Sequence, residues 1–548
     1  MNLFIDVFAS GVPCRFQKTW AFKTSSRLGG LLASIIMPSL MTIFVTCSAI
    51  VSSFAEEPTV PITQVIPEID KAFKWDDSKG DTADPFWADD GQLYHFACDG
   101  RGFGTQERNL CFNKLSGSDL FSLKGSLVNS MDEYGGNGAS MNGTSTNDGG
   151  NWKAVGQECV DGVFYCFVAR NHYGNHSKDP LLRQTSLNAS LIKSTDHGLT
   201  WTRSAQENYD HPMWPGSRFG APAFIHYGRN GGQVARDGAD KYVYAVSNNG
   251  FWNGGDDLIL ARVLRTDLPK LNVSDWEYFT GGEGLLDHSW SHDISKAAPI
   301  LSRPAKLGWT APVFIPSLNR YLLVSWYITP TLKGWFNPER LVYDFFEAPH
   351  PWGPWNQVGS MDDSFLANSR MYGPNLCAKY QEQTPDGVRI QLFSSGTIFK
   401  DVPGSIYKIW RFPLLLRKNP LPEGSMINDT DPAIRYSKGW QAVAQASARD
   451  YQKDYHLTRS QGATAEYRFS GSGLEIWTGK NHGNGSFDVL IDGKPAGTVD
   501  TKLRNFQYSG FVQVPVFRVE NLTPGDHEVK IIVKGDGNVA FDAFRILK

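Results

Sequence analysis

One pattern recurs five times along this chain and restricts its fold more than any other feature. An apolar strand runs into a polar turn, and a strand rich in alternating aromatic residues follows. It reads FWADDGQLYHFACDG at 86–100 and GQECVDGVFYCFVARN at 156–171. It returns as APAFIHYGRNGG with KYVYAVSNN (221–249), as APVFIPSLNRYLLVSWY (311–327) and as NLCAKYQEQTPDGVRIQLFSSG (375–396). A second hairpin candidate follows each copy, from LCFNKLSGSDLFSLKG after the first to IYKIWRFPLLL after the fifth. Two hairpins make a four-stranded antiparallel sheet, and five such sheets predict a five-bladed β-propeller. A sandwich with insertions is the competing arrangement. Helical periodicity is scarce, and the many glycines and aromatics suit turn-rich β structure.

The expected fold class is therefore all-β, with a five-bladed β-propeller over 65–418. From 413 to 432 the text turns to Pro, Gly and Asn, and 419–432 reads as a linker. Short alternating strands such as TAEYRFSG, GLEIWTG and DHEVKIIVKG, with turns at IDGKP and TPGDHEV, predict a jelly-roll-like β-sandwich over 433–548.

Residues 1–55 read as an export segment. Arg15, Lys18, Lys23 and Arg27 precede the apolar run Leu31–Val51, and Ser53 and Ala55 suit a cleavage site. An uncleaved anchor is the alternative, since about 20 apolar residues span a bilayer. Either reading predicts a secreted, periplasmic or cell-surface protein. A net charge of −3 without a long charge run leaves nucleic-acid binding little support. Of seven cysteines, five lie beyond the leader, at 98, 111, 159, 166 and 377, an odd number without metal spacing. Cys159 and Cys166 flank a turn and read equally as a bridge or as two buried strand residues.

STDHGLTW (194–201) is an Asp box. In it Asp196 can accept bonds from turn N–H groups, Gly198 permits the turn, and Trp201 can pack between sheets. All three tasks are structural. One full box, without an arginine cluster or a Tyr–Glu pair, argues against a sialidase. HPWGPW (350–355) stands at the matching place in the fourth unit.

Chemistry is expected where strand starts and ends converge around the axis. That end carries Asp81, Asp84, Asp99 and Arg101 in the first unit, and Lys153, Arg170, Asn171 and His172 in the second. The third unit adds Arg218, Asn248, Asn249 and Trp252, the fourth Trp309 and Tyr327, the fifth Arg370 and Tyr372. Carboxylates, cations, amides and aromatics together suit a sugar site, and glycoside hydrolysis needs one protonated and one ionised carboxyl. Asp99, Glu158 and Asp256 are candidate partner acids. Asp89, Asp90 and Asp161 read as turn formers at the opposite end. A polysaccharide lyase built on Arg170, His172 and a tyrosine is the second reading, and a non-catalytic glycan-binding protein the third. No cofactor is required; a central calcium on oxygen ligands is compatible with the fold, while His211, His288 and His292 lack zinc spacing.

The segments GDTADPFWADDGQLYHFACDGRGFG, VDGVFYCFVARN, STDHGLTW, GAPAFIHYGRNGGQVARDGADKYVYAVSNN, LILARV and EAPHPWGPW resemble, in that order, the secreted propellers called domain of unknown function 4185. More distantly they resemble the five-bladed glycoside hydrolases of family 43. The resemblance implies the propeller and a carbohydrate-active setting, with an oligo- or polysaccharide substrate. Likeness of ADP (83–85) to the opening of family 43 implies a general base at Asp84, whereas WADDG aligned with the unknown-function family favours Asp81. GATAEYRFSGSGLEIW and NVAFDAFRIL give the tail a resemblance to the sugar-binding modules of glycan-degrading enzymes.

Overall fold

The computed structural model describes residues 59–136, 150–172, 183–204, 211–232, 234, 236–282, 288–329, 340–362, 371–395, 407–420, 422–444, 450–503 and 512–548. The five repeats form five antiparallel sheets. In blade one, Lys79–Asp81 and Phe86–Trp87 lie against Leu93–Gly102, followed by Arg108–Ser116 and Lys124–Asn129. Blade two runs Asn151–Val160, Val163–His172, Thr185–Ser194 and Thr202–Arg203. Blade three orders Ala221–Phe224, Tyr242–Asn248, Gly255–Leu264, Glu277–Gly281 and Ser289–Ser291, with Pro299–Leu307 also paired to Gly255–Leu264. Blade four runs Val313–Ile315, Arg320–Thr329, Arg340–Ala348 and Asn356–Asp362.

In blade five the second hairpin expected at IYKIWRFPLLL is instead a single strand, Ile409–Arg417. Tyr372–Thr384, Gly387–Ser395 and Ile409–Arg417 are followed outward by Gln64–Pro67, from the other end of the propeller sequence. Gln64 stands opposite Arg417 and Pro67 opposite Leu414. The ring is thus closed by hydrogen bonds between its first and last strands. Proline at 67 fits an outermost strand, where no further neighbour needs its missing N–H.

Apolar residues on both faces of each sheet fill the seams between blades. Phe86, Tyr94, Phe96, Phe112 and Phe164 pack blade one against blade two, and Phe314, Tyr321, Phe346 and Trp352 belong to the cluster between blades three and four. The Asp box contributes to the first seam. Ser194 Oγ donates to Asp196 Oδ1, which also accepts from Thr200 N, while Asp196 Oδ2 accepts from Thr200 Oγ1. Gly198 sits at φ 87°, and a Cβ there would lie 2.0 Å from Phe112 Cε1. Trp201 meets Phe112 edge to face at 5.2 Å. The HPWGPW turn does similar work: Trp352 stacks on His350, and Trp352 and Trp355 are both buried.

The stretch expected as a linker contains a strand. Gly424–Asn428 pairs with the last strand, Ala543–Leu547, in a sheet completed by Gly473–Lys480 and Val512–Val519. The facing sheet orders Arg435–Tyr436, Thr464–Gly471, Gly525–Val533, Ser486–Ile491 and Lys494–Asp500. Phe469, Ile476, Phe487, Val489, Ile531 and Phe544 fill the space between them. This sandwich rests on the propeller close to where the ring closes. Arg417 makes a paired contact with Glu520 at 3.1 and 3.0 Å, Lys480 Nζ reaches Asp70 at 2.6 Å, and Leu503 and Val514 join the propeller's core. Cys98, Cys111, Cys159, Cys166 and Cys377 are free and buried, which leaves the bridge reading of Cys159 and Cys166 without support.

Candidate functional site

Two glycines bring the first two carboxylates together. A Cβ on Gly80 would lie 2.8 Å from Cys98 O, and one on Gly100 would lie 2.2 Å from Lys79 O. Only glycine lets these two backbones approach so closely. The register slips between Lys79–Gly102 and Asp81–Cys98, and Asp99 takes the left-handed region at φ 50°. Such an irregularity re-aims side chains. Here Asp99 forms an ion pair with Lys153 of blade two, beside Asp81. Asp81 is buried, and Tyr372 and Tyr407 of blade five both donate to its Oδ2, Tyr407 at 3.2 Å.

The two acids are not equivalent. Burial, and then the charge of Asp99, push Asp81 up to about 7, against the opposing pull of Lys153 and the two tyrosine hydroxyls. Asp99 keeps about a fifth of its side chain exposed and is bonded to an ammonium. Burial acts against the charge of Lys153, but Asp99 and Asp81 outweigh it and raise its pKa.

A second constellation beside the innermost strands is closed to solvent. His226 Nε2 meets Asp84 Oδ1 at 2.9 Å, and His226 Nδ1 meets Glu158 Oε2 at 2.8 Å. All three side chains are no more than 2% exposed. Burial works against the imidazolium, yet the charges of Asp84 and Glu158 raise His226 to about 10. Burial raises Glu158 in turn, opposed by His226. Asp84 and Glu158, read from sequence as base and partner acid, therefore tie blades one, two and three together through a histidine.

Trp309 and Trp252 are buried and stack on each other at 5.1 Å with rings 4° apart, and Trp309 Nε1 donates to Val155 O across the axis. They form packing between blades and no exposed sugar platform. Other candidates are also committed. Arg170 lies over Trp152 at 4.4 Å and donates to Gly150 O, and the His172 ring packs where a Cβ on Gly150 would stand. Arg218 bonds Asp257 and Ala297 O. Asn249 and Asp256 bond each other, and Asp256 also bonds Arg183 and Ala305 N. Although burial acts the other way, these contacts hold Asp256 below the usual range. Arg101 donates to Gly104 O, and Tyr327 has Lys306 5.4 Å from its ring centre. Asn171 is buried, and among the described residues neither end of its amide has a partner. Arg370 lies outside the described residues. Asp89, Asp90 and Asp161 are at the far turns: Asp90 bonds Gln92 N, and Asp161 pairs with Arg265.

Sequence reasoning missed two residues. Tyr407 lies just before the third strand of blade five, in IYKIW, where it reads as one more strand aromatic. His226 lies two residues past the strand Ala221–Phe224, in AFIHYG, beyond the strand starts that were read as the ring. Its signal was available, since a histidine within a run of apolar residues needs polar partners.

No family model matches the chain, so the resemblance to the domain of unknown function 4185 gains nothing from that side, and no curated protein matches. Among solved structures, the chain is similar to an exo-β-1,3-galactanase from Phanerochaete chrysosporium bound to β-1,3-galactotriose. Identity is 11%, 88% of this chain and 100% of that one are covered, and the TM-score is 0.37. It is also similar to the catalytic domain of a family 62 α-L-arabinofuranosidase from Coprinopsis cinerea, at 13% identity over 64% and 98% with TM-score 0.34. A family 35 carbohydrate-binding module from an environmental isolate is 12% identical over 23% of this chain and 93% of its own, with TM-score 0.19. These are likenesses in the path of the chain and say nothing of its chemistry.

Proposed function

We propose that this protein is an exported glycoside hydrolase, with Asp81 as proton donor and Asp99 as the ionised partner. The observation that carries this reading is the inequality of the two acids. Asp81 is buried, hydrogen-bonded and raised to about 7, while Asp99 is partly exposed and paired with Lys153. Environments that push two neighbouring carboxyls apart in pKa are what glycosidic cleavage requires. The Asp81 proton passes to the glycosidic oxygen as the bond to the anomeric carbon breaks, and the bonding electrons stay on that oxygen. Asp99 faces the positive charge that develops on the sugar; water then adds as hydroxide to the anomeric carbon, and its proton returns to the Asp81 carboxylate. A glycan chain is the substrate class, and the sandwich is a candidate second contact with it.

The test is product analysis on a panel of glycans with the wild type, Asp81→Asn, Asp99→Asn and Asp84→Asn. Asp81→Asn and Asp99→Asn should each lose at least about 100-fold in kcat/KM. Wild-type rates in both variants on a confirmed substrate overturn the assignment. Unsaturated products absorbing in the ultraviolet would mark a lyase, although Arg170 is already engaged by Trp152 and Gly150. Binding without cleavage would mark a glycan-binding protein.

A further inference from the structure

Resting on the reading of Asp81 as proton donor, we infer that Tyr372 and Tyr407 are positioning residues that decide which oxygen of Asp81 carries the proton. Both hydroxyls converge on Oδ2, whereas Oδ1 is shielded from solvent and accepts no hydrogen bond. An oxygen that already accepts two O–H donors has the character of a carbonyl oxygen. Placing the proton there would displace one of them. The proton therefore sits on Oδ1. Turning the carboxyl over to exchange its oxygens would break both tyrosine bonds, so the pair also prevents the flip.

The tyrosines suit this task. Both come from blade five, Tyr372 at the start of its first strand and Tyr407 just ahead of its third, and both are 3% exposed. Burial, and then the nearness of Asp81, drive the Tyr372 hydroxyl well above its ordinary pKa, so it remains a donor. The other titratable groups facing Asp81 are Asp99, Lys153 and the Cys98 thiol. Burial pushes that thiol up to about 12, which keeps it neutral. Lys153 is bonded to Asp99. When Asp81 ionises, the negative charge appears on a carboxylate whose Oδ2 already holds two donors. The tyrosines thus favour the ionised form that the step creates.

The test follows the Asp81 carboxyl directly, in full-length protein labelled with 13C-carboxyl aspartate and titrated by NMR. Its resonance is the one missing from Asp81→Asn. Tyr407→Phe removes a donor to the charged form, so the midpoint should rise by about one pH unit, and Tyr372→Phe should raise it as much or more. On a glycan substrate the alkaline limb of the rate profile should move with the midpoint. On the plateau below the midpoint kcat should fall about tenfold with KM little changed. An unmoved midpoint in a folded Tyr407→Phe protein overturns the inference. Should either variant not fold, replacing tyrosine throughout by the more acidic 3-fluorotyrosine strengthens both donors. The midpoint should then fall, and no movement overturns the inference equally. The titration needs no substrate, so the two readings separate. A shifted midpoint together with a fully active Asp81→Asn enzyme leaves the hydrogen-bond geometry standing and removes Asp81 as donor.

Discussion

Two places in the propeller hold two carboxylates and one basic side chain, and they behave oppositely. At the open end, Asp81, Asp99 and Lys153 form an unequal set, with one acid buried and the other reaching solvent. Beside the inner strands, Asp84, Glu158 and His226 form a closed set, with each carboxylate bonded to one imidazole nitrogen. Composition is nearly the same in both. What differs is exposure and the geometry of the contacts. The closed set is sealed from solvent and joins three blades. The open set holds one buried acid raised to about 7 beside one that reaches solvent and pairs with Lys153. Paired acids on a propeller axis are therefore not in themselves a sign of catalysis.

The sharpest way to break this contrast is His226→Ala. It strands two buried carboxylates, and removing one partner of a buried ion pair costs about 3–5 kcal/mol. Urea unfolding should show a loss of that size or a failure to fold. The same histidine sets a pH dependence. Its folded pKa lies near 10 against 6.5 ordinarily, so its contribution to stability is complete below about pH 6.5 and disappears as pH rises through 10. A wild-type stability profile flat from pH 6 to 10 contradicts this. Asp81→Asn should behave in the reverse way, unfolding like the wild type while losing about 100-fold or more in kcat/KM. If it proves as unstable as His226→Ala, the distinction between the two sets collapses.

Lys153→Met sharpens the comparison from the other side. Lys153 lowers the pKa of Asp81, so its loss should move the alkaline limb of the rate profile upward from about pH 7. The smallest effects belong to the Asp box. Asp196→Ala should lose about 1 kcal/mol and Gly198→Ala somewhat more, because of its φ of 87° and the Phe112 ring. Neither should change activity, and a large loss of rate without a loss of stability would return the box to the functional site.

Much of the fold could be read because a strand turn repeated five times is a long-range signal that survives local irregularity. The convergence of Asp81, Asp99, Lys153 and Tyr372 at one end followed from strand direction alone. What could not be read was depth. Asp81 and Asp84 are three positions apart on one segment, yet one borders the open end and the other is sealed in, and no periodicity separates them. The same limit misled on Trp252 and Trp309, which suit a sugar platform by type and position but are buried against each other. Gln64–Pro67 escaped notice for another reason: a single short strand has no alternation partner nearby, and its partner Leu414–Arg417 lies at the far end of the ring.

That closure has a consequence for how the chain is made. The bond from Thr63 to Arg417 O joins residues 354 positions apart, and contacts of such separation form late and slowly. Until Leu414–Arg417 leaves the ribosome, Gln64–Pro67 has no partner and blade five remains an open edge, the kind that recruits other chains. The sandwich emerges after the propeller and holds Arg417 through Glu520 and Asp70 through Lys480, at the two ends of that closure. It can thus act as a clasp on a newly made ring, so a chain ended after the propeller should form more aggregate during synthesis than its equilibrium stability alone would indicate.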